Sequence, residues 1–231
     1  LTAKALGVEL LVHYGHSCLV PVDQTSGIKV LYIFVDIKID PLHFIETLKH
    51  NFEKKTKIGL VSTIQFVTTL QAVSTQLKAD GYDISIPQFK PLSPGEILGC
   101  TAPVLRCADV VIYLGDGRFH LEAAMIANPK LKAYRYDPYD KKFTREYYDH
   151  NQMETIRKSS VEKAKTANSF GVIMGTLGRQ GSSTVVEHLR KRLQDVNKTA
   201  VVILLSEIFP NKLELFPKLD AFVQIACPRL S

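Results

Sequence analysis

The chain has 231 residues, of which 45% are hydrophobic and 23% are charged. That length suits one large domain or two ordinary ones, and the composition is typical of a soluble globular protein. No apolar run approaches the roughly 20 residues that a membrane-spanning helix needs, so no membrane segment is predicted. The 4 cysteines show no disulfide framework, which favours a reducing, cytoplasmic location.

The chain carries 29 Lys and Arg against 23 Asp and Glu, a net charge of +6. Its basic residues are scattered along predicted helices, and no interleaved aromatic residues or nucleic-acid motif accompany them. Solvated helix faces therefore explain the charge better than nucleic-acid binding does. A mildly basic surface for an acidic protein partner remains open.

Apolar runs alternate with amphipathic stretches along the chain. Because these runs are apolar on both faces, they predict buried parallel strands, and the stretches between them predict helices. The first helix signal is Asp40 followed by Pro41, a helix cap before a proline at the first helical position. The fold class predicted is α/β, built from repeated Rossmann-like αβ domains with parallel sheets. The predicted strands cover residues 10–14, 30–35, 58–61, 110–114, 171–174, 201–205 and 221–223.

One change in composition suggests a domain boundary. Residues 140–168 are polar and charged, so they predict a helical connection without a strand. This connection separates a second αβ domain, residues 28–139, from a third, residues 169–231, whose end the sequence leaves open. Residues 1–27 are expected to be the last part of a first αβ domain. The chain is thus expected to be a fragment.

Two cysteines occupy tight bends beside apolar runs, Cys100 after Leu98-Gly99 and Cys227 before Pro228. Their wide separation excludes a local metal clip, which places its cysteines about two to four residues apart. Thiolates presented to a bound group and buried structural cysteines are both compatible with this pattern. Cys18 and Cys107 stand in apolar, strand-like settings and are interpreted as structural.

Two glycine-containing loops follow predicted strands, where ligands of parallel sheets gather. The first offers Gly115, Gly117, Arg118 and His120, and is either a ligand loop or a tight turn. The second runs from Gly175 into a predicted helix, whose free N–H groups suit a carboxylate or phosphate. It is either a ligand loop or a plain helix start, and its candidate residues are Gly178, Arg179 and Ser182.

Several long phrases of the chain resemble one known family. Residues 11–18, 98–100, 113–123 and 226–229 look like the radical enzymes of diphthamide synthesis, specifically the first-subunit type of the eukaryotic enzyme. The similarity extends over essentially all 231 residues, and several phrases in the same order are far more specific than one motif.

The resemblance implies a triangular subunit of three αβ domains, each of which gives one cysteine to a central 4Fe-4S cluster. Cys100 matches the ligand of the middle domain and Cys227 that of the last domain. The ligand of the first domain would lie just upstream of Leu1. Cys18 and Cys107 match no ligand position.

The implied activity is transfer of the 3-amino-3-carboxypropyl group of S-adenosylmethionine to a histidine imidazole carbon of translation elongation factor 2. A second related subunit and an electron-donor protein are the implied further partners. Arg118 and Arg179 are cationic candidates for S-adenosylmethionine, and Gln65 and Asp137 lie at similar strand ends. Two alternatives stay open: a supporting subunit without catalysis, and an unrelated nucleotide- or sugar-binding αβ protein.

Overall fold

The computed structural model describes residue 3 and residues 6–15, 28–176 and 182–226. Contacts divide the chain into two compact units. The first unit consists mainly of residues 30–150, and the second mainly of the described residues after 150.

The first unit is built on a five-stranded sheet. Two interior strands, β3 (Ile58–Ser62) and β5 (Val110–Leu114), are buried at every position and are largely apolar, as the sequence predicts. The strands pair in parallel except for the last one, which runs antiparallel to its neighbour. In spatial order the strands are β4 (Ile84–Ser85), β3 (Ile58–Ser62), β5 (Val110–Leu114), β6 (Lys132–Asp137) and β7 (Lys142–Glu146).

Helices cover both faces of this sheet. The first, α1 (Leu42–Asn51), follows Pro41, and the Asp40 carboxylate accepts the N–H of Leu42 at 3.0 Å, close to the predicted cap. Helices α1 and α2 (Val67–Ala79) bury their apolar residues in one core cluster. Helix α3 (Phe119–Ala127) buries its own in a second cluster, which contains Tyr113 of β5. A short 3₁₀ turn, Ile64–Phe66, precedes α2.

The prediction of a strand-free helical connection over residues 140–168 is wrong in its first part. Residues 142–146 form β7, which extends the sheet of the first unit. Phe143 of β7 stacks on Tyr134 at a centroid distance of 5.3 Å and meets Phe52 edge-on at 6.0 Å. The polar composition of residues 140–168 gives no sign of these contacts, which one aromatic residue of β7 makes with rings on other elements.

The second unit contains a parallel three-stranded sheet with β8 (Ser169–Gly175) in its centre. Its small core includes Ile173, Ile203 and Ile208. Strand β9 (Thr199–Leu205) was predicted to be buried, but its residues Val201, Val202 and Leu204 are exposed. The elements of this unit are α4 (His150–Thr166), β8 (Ser169–Gly175), α5 (Ser183–Asp195), β9 (Thr199–Leu205), α6 (Pro210–Leu213) and β10 (Ala221–Ile225).

A separate two-stranded sheet joins β1 (Leu10–Gly15) and β2 (Lys29–Phe34). The predicted mixed α/β fold with parallel sheets is confirmed. Within the part of the chain that the structure describes, no helix has both the length and the hydropathy needed to span a membrane.

Candidate functional site

Cys100 lies in a tight turn that is attached to the carboxyl end of β3. Leu98 donates its N–H to the Thr101 carbonyl at 3.0 Å, and Thr101 donates back to the Leu98 carbonyl at 3.2 Å. One residue earlier, the Ile97 N–H donates to the carbonyl of Ser62, the last residue of β3, at 2.9 Å. The turn is therefore held by backbone bonds to a buried strand, which gives its cysteine a fixed position.

The Cys100 thiol is exposed and forms no disulfide. Thr101 donates its hydroxyl to the Cys100 sulfur at 3.7 Å. This exposure contradicts the alternative of a buried structural cysteine and suits a thiolate that binds an external group. Cys107 is exposed as well, so its predicted apolar setting is wrong. Leu105 is the residue of that segment that packs into the core, which leaves Cys107 on the outer side.

The aromatic ring of Phe119 lies directly against Gly99, next to Cys100. A Cβ atom added at Gly99 would stand 2.0 Å from Cε1 of Phe119, far inside an ordinary contact. Only glycine therefore fits at this point of the turn, because any side chain would displace the ring or the turn. The contact joins the Cys100 turn to the start of α3.

The first predicted glycine-containing loop, residues 115–118, leaves the carboxyl end of β5. Since β3 and β5 are adjacent and parallel, this loop and the Cys100 turn lie at the same edge of the sheet. Gly115 donates its N–H to the Tyr136 carbonyl of β6 at 3.1 Å, and the Tyr113 hydroxyl donates to the Asp116 carbonyl at 3.4 Å. Gly117 has a φ of 60°, the left-handed region that favours glycine.

Arg118 is engaged by its own protein. Its guanidinium donates to the Glu122 carboxylate at 2.8 Å, to the Glu146 carboxylate at 3.3 Å and to the Tyr147 carbonyl at 2.7 Å. Arg135 of β6 contacts the same Glu146 at 3.4 Å. Arg118 thus cross-links the start of α3 to β7, and its proposed contact with a ligand stays a prediction.

His120 lies beneath this loop among aromatic rings. It stacks on Tyr113 at a centroid distance of 6.4 Å and meets the Phe119 ring at 5.3 Å and 89°. Burial raises the pKa of Tyr113, so its phenol stays protonated and acts as a hydrogen-bond donor. The aromatic stack supports the Cys100 turn from the side of α3.

Two further polar residues lie at this edge of the sheet. The side-chain oxygen of Gln65 is buried without a hydrogen-bond partner among the described residues. Asp137, at the end of β6, accepts the N–H of Tyr139 at 3.0 Å and contacts Arg135 at 3.3 Å. Both were named from their positions after strands, and their contact with a ligand also stays a prediction.

In the second unit, Ser182 is the N-cap residue that directly precedes helix α5. Its hydroxyl accepts the N–H of Val185 at 3.4 Å, which satisfies one free donor of the helix. Gly178 and Arg179 lie outside the described residues, as do Cys227 and Cys18. The predicted meeting of the Cys100 and Cys227 sulfurs therefore stays a prediction.

The described part of the chain contains no group of three His, Cys, Asp or Glu side chains placed to hold a metal ion. Of the two free cysteines described there, Cys100 is the one predicted to bind a cluster. An exposed thiol that forms no disulfide and lies on a rigid turn is suited to bind one iron of a cluster. The other ligands of such a cluster would be cysteines outside the described residues.

Sequence reasoning missed three residues that shape this site, namely Thr101, Phe119 and Glu146. A hydroxyl directly after a cysteine is readable as a hydrogen-bond donor to sulfur, so Thr101 had a usable signal. Phe119 reaches Gly99, and Glu146 reaches Arg118, only through the tertiary fold. No local pattern marks these two contacts.

Comparison with known proteins adds the family. The family model described as "Putative diphthamide synthesis protein" matches residues 1–231. The chain is 61% identical over 230 residues to 2-(3-amino-3-carboxypropyl)histidine synthase subunit 1 of Nematostella vectensis, covering 100% of this chain and 49% of that protein. It is 57% identical over 232 residues to the human protein of the same name, covering 100% of this chain and 53% of that protein. The chain thus spans about half the length of these relatives.

Solved structures agree with this match. Dph2 from Pyrococcus horikoshii is similar with a TM-score of 0.73 and 28% identity, over 99% of this chain and 66% of that one. A second structure of that protein, described as containing a 4Fe-4S cluster, has a TM-score of 0.72 at 28% identity, over 99% of this chain and 67% of that one. The chain therefore belongs to the diphthamide synthesis protein family.

Proposed function

We propose that this chain is a cluster-binding part of subunit 1 of a 2-(3-amino-3-carboxypropyl)histidine synthase, which acts in the first step of diphthamide synthesis. The observation that carries the proposal is the exposed, disulfide-free Cys100 on a turn fixed to the sheet edge. Support comes from relatives named for this activity and from the neighbouring Dph2 structure described with a 4Fe-4S cluster.

In this proposal Cys100 and Cys227 are two of the thiolate ligands of a 4Fe-4S cluster, and the third cysteine of the family comes from outside this sequence. When bound, the cluster supplies an electron to S-adenosylmethionine at an iron that no thiolate occupies. The group transferred is 3-amino-3-carboxypropyl, and its acceptor is a histidine ring of translation elongation factor 2. A related second subunit and an electron-donor protein complete the proposed cytoplasmic system.

The residues of this chain position the cluster ligand and the loop beside it. The backbone hydrogen bond from Ile97 to Ser62 holds the Cys100 turn on β3, so the backbone of this turn is already ordered before the cluster binds. The loop with Gly115, Gly117 and Arg118 leaves the neighbouring strand at the same edge.

The proposed contacts to S-adenosylmethionine come from two loops. The first-unit residues are Gly115, Gly117, Arg118 and His120. The second-unit residues are Gly178, Arg179 and Ser182, at a helix start whose free N–H groups suit a carboxylate. An Arg179→Ala variant of the complete subunit should bind S-adenosylmethionine more weakly, and unchanged affinity would remove Arg179 from the site.

The test is anaerobic reconstitution of the complete subunit, bound to its partner subunit, with iron and sulfide. Wild type should develop brown thiolate-to-iron absorbance, and Cys100→Ala and Cys227→Ala should lose most of it. Cys107→Ala is the matched control because Cys107 is the other exposed cysteine of the described residues, and it should keep the full absorbance. A Cys100→Ala subunit with the full iron content of wild type would contradict the proposal.

A second measurement separates catalysis from support. Transfer of labelled 3-amino-3-carboxypropyl to elongation factor 2 should stop in the Cys100→Ala complex. Continued transfer at the wild-type rate, with the partner subunit intact, would instead identify this chain as a supporting subunit. The remaining alternative, an unrelated nucleotide- or sugar-binding αβ protein, is excluded by the family match over residues 1–231.

A further inference from the structure

The side-chain hydroxyl of Thr101 contacts the Cys100 sulfur. It donates to that sulfur at 3.7 Å, within reach of a hydrogen bond to a large sulfur atom. The two residues share one turn, closed by reciprocal backbone bonds between Leu98 and Thr101. Since this turn is anchored on β3, the backbone geometry that brings the hydroxyl to the sulfur is fixed by the fold.

Hydrogen bonds to ligating sulfurs are among the factors that set the reduction potential of an iron–sulfur cluster. A donor withdraws electron density from the thiolate, and it stabilises the reduced cluster more because that state carries one more negative charge. From this contact we infer that Thr101 raises the reduction potential of a cluster bound through Cys100, and so eases its reduction. The inference rests on the proposed function, since it requires Cys100 to be a cluster ligand.

Thr101 is therefore a positioning and tuning residue, which acts through the sulfur of its neighbour. The main-chain groups of Thr101 have a separate role, because its N–H and carbonyl close the turn. A substitution that removes the hydroxyl and retains the β-branched shape should leave this backbone role intact. Valine meets that requirement, and serine restores the hydroxyl on an unbranched side chain.

The experiment uses the complete subunit with its partner subunit, reconstituted anaerobically as wild type, Thr101→Val, Thr101→Ala and Thr101→Ser. Thr75→Val is the matched control, because the Thr75 hydroxyl donates to the Gln71 carbonyl inside α2. Iron content is measured first. The midpoint potential is then measured by spectroelectrochemical titration, and the reduced cluster is quantified by electron paramagnetic resonance.

Thr101→Val and Thr101→Ala should shift the midpoint potential to more negative values at wild-type iron content. Thr101→Ser and Thr75→Val should stay at the wild-type potential. A Thr101→Val or Thr101→Ala complex with full iron content and an unchanged potential would overturn the inference and leave the proposed function standing. A wild-type complex without iron would overturn both.

Discussion

Replacing Gly99 by alanine should disturb the Cys100 turn, because the added methyl group would clash with the ring of Phe119. The added Cβ would lie 2.0, 2.6 and 2.7 Å from three ring atoms of Phe119. An ordinary contact begins at 3.4 Å, so ring and turn must separate by about 1.4 Å, the difference between 3.4 and 2.0 Å. Overpacking of this kind costs about 1–3 kcal/mol.

The lower half of that range is expected, because Phe119 is 45% exposed, which leaves its ring room to rotate outward. Rotation would break its edge contact with His120. For a chain of this length, about 1 kcal/mol lowers the melting temperature by roughly 2–4 °C. Thermal unfolding of Gly99→Ala should therefore show a decrease of a few degrees.

A double variant tests the cause. If the clash with Phe119 is responsible, Gly99→Ala should cost much less when Phe119→Ala is already present, so the two changes will not be additive. Val104→Ala is a matched control, since Val104 is an exposed apolar residue close to the turn in sequence. Additive losses in the double variant, or an unchanged melting temperature in Gly99→Ala, would refute the reasoning.

Three further predictions concern groups outside the turn. The Asp220 carboxylate accepts bonds from the N–H and hydroxyl of Ser169, and backbone N–H donors lower its pKa. Asp220 therefore stabilises the fold above its unfolded pKa near 3.8, and this contribution is lost as the pH falls through its lower folded pKa. Asp220→Asn should show a weaker dependence of melting temperature on pH below about 4 than wild type. A melting temperature that falls with acidification as steeply as in wild type would contradict this. Arg118→Lys keeps the charge but cannot reach the three acceptors of the guanidinium, so it should cost about 1 kcal/mol and speed amide exchange in residues 115–118. Unchanged exchange there would argue against the cross-link. Tyr136→Phe removes the 2.8 Å hydrogen bond to His43, and urea unfolding should show a loss of about 0.5–1.5 kcal/mol. A larger loss would mean that the ring itself was displaced.

The strands were predictable where both faces of a strand are apolar. Strands β3 and β5 are buried at every position, so their runs of Ile, Leu and Val were visible without the fold. Strands β6 and β7 are absent from the predicted strand ranges, although Asp137 was placed at a strand end, because both strands carry charged residues. Their stability depends on cross-strand aromatic contacts such as Tyr134 with Phe143, which sequence spacing does not reveal.

The candidate site, like the strands, was predictable from the sequence only in part. The sequence by itself determined the family phrases, the cysteine Cys100 and the glycine loop after β5, because these are properties of neighbouring residues. Only the tertiary structure decided that the Cys100 turn is fixed to Ser62, that Phe119 covers Gly99, and that Arg118 is bound by Glu146. Those contacts join residues far apart in the chain, and they follow from the order of the strands in the sheet rather than from local propensity.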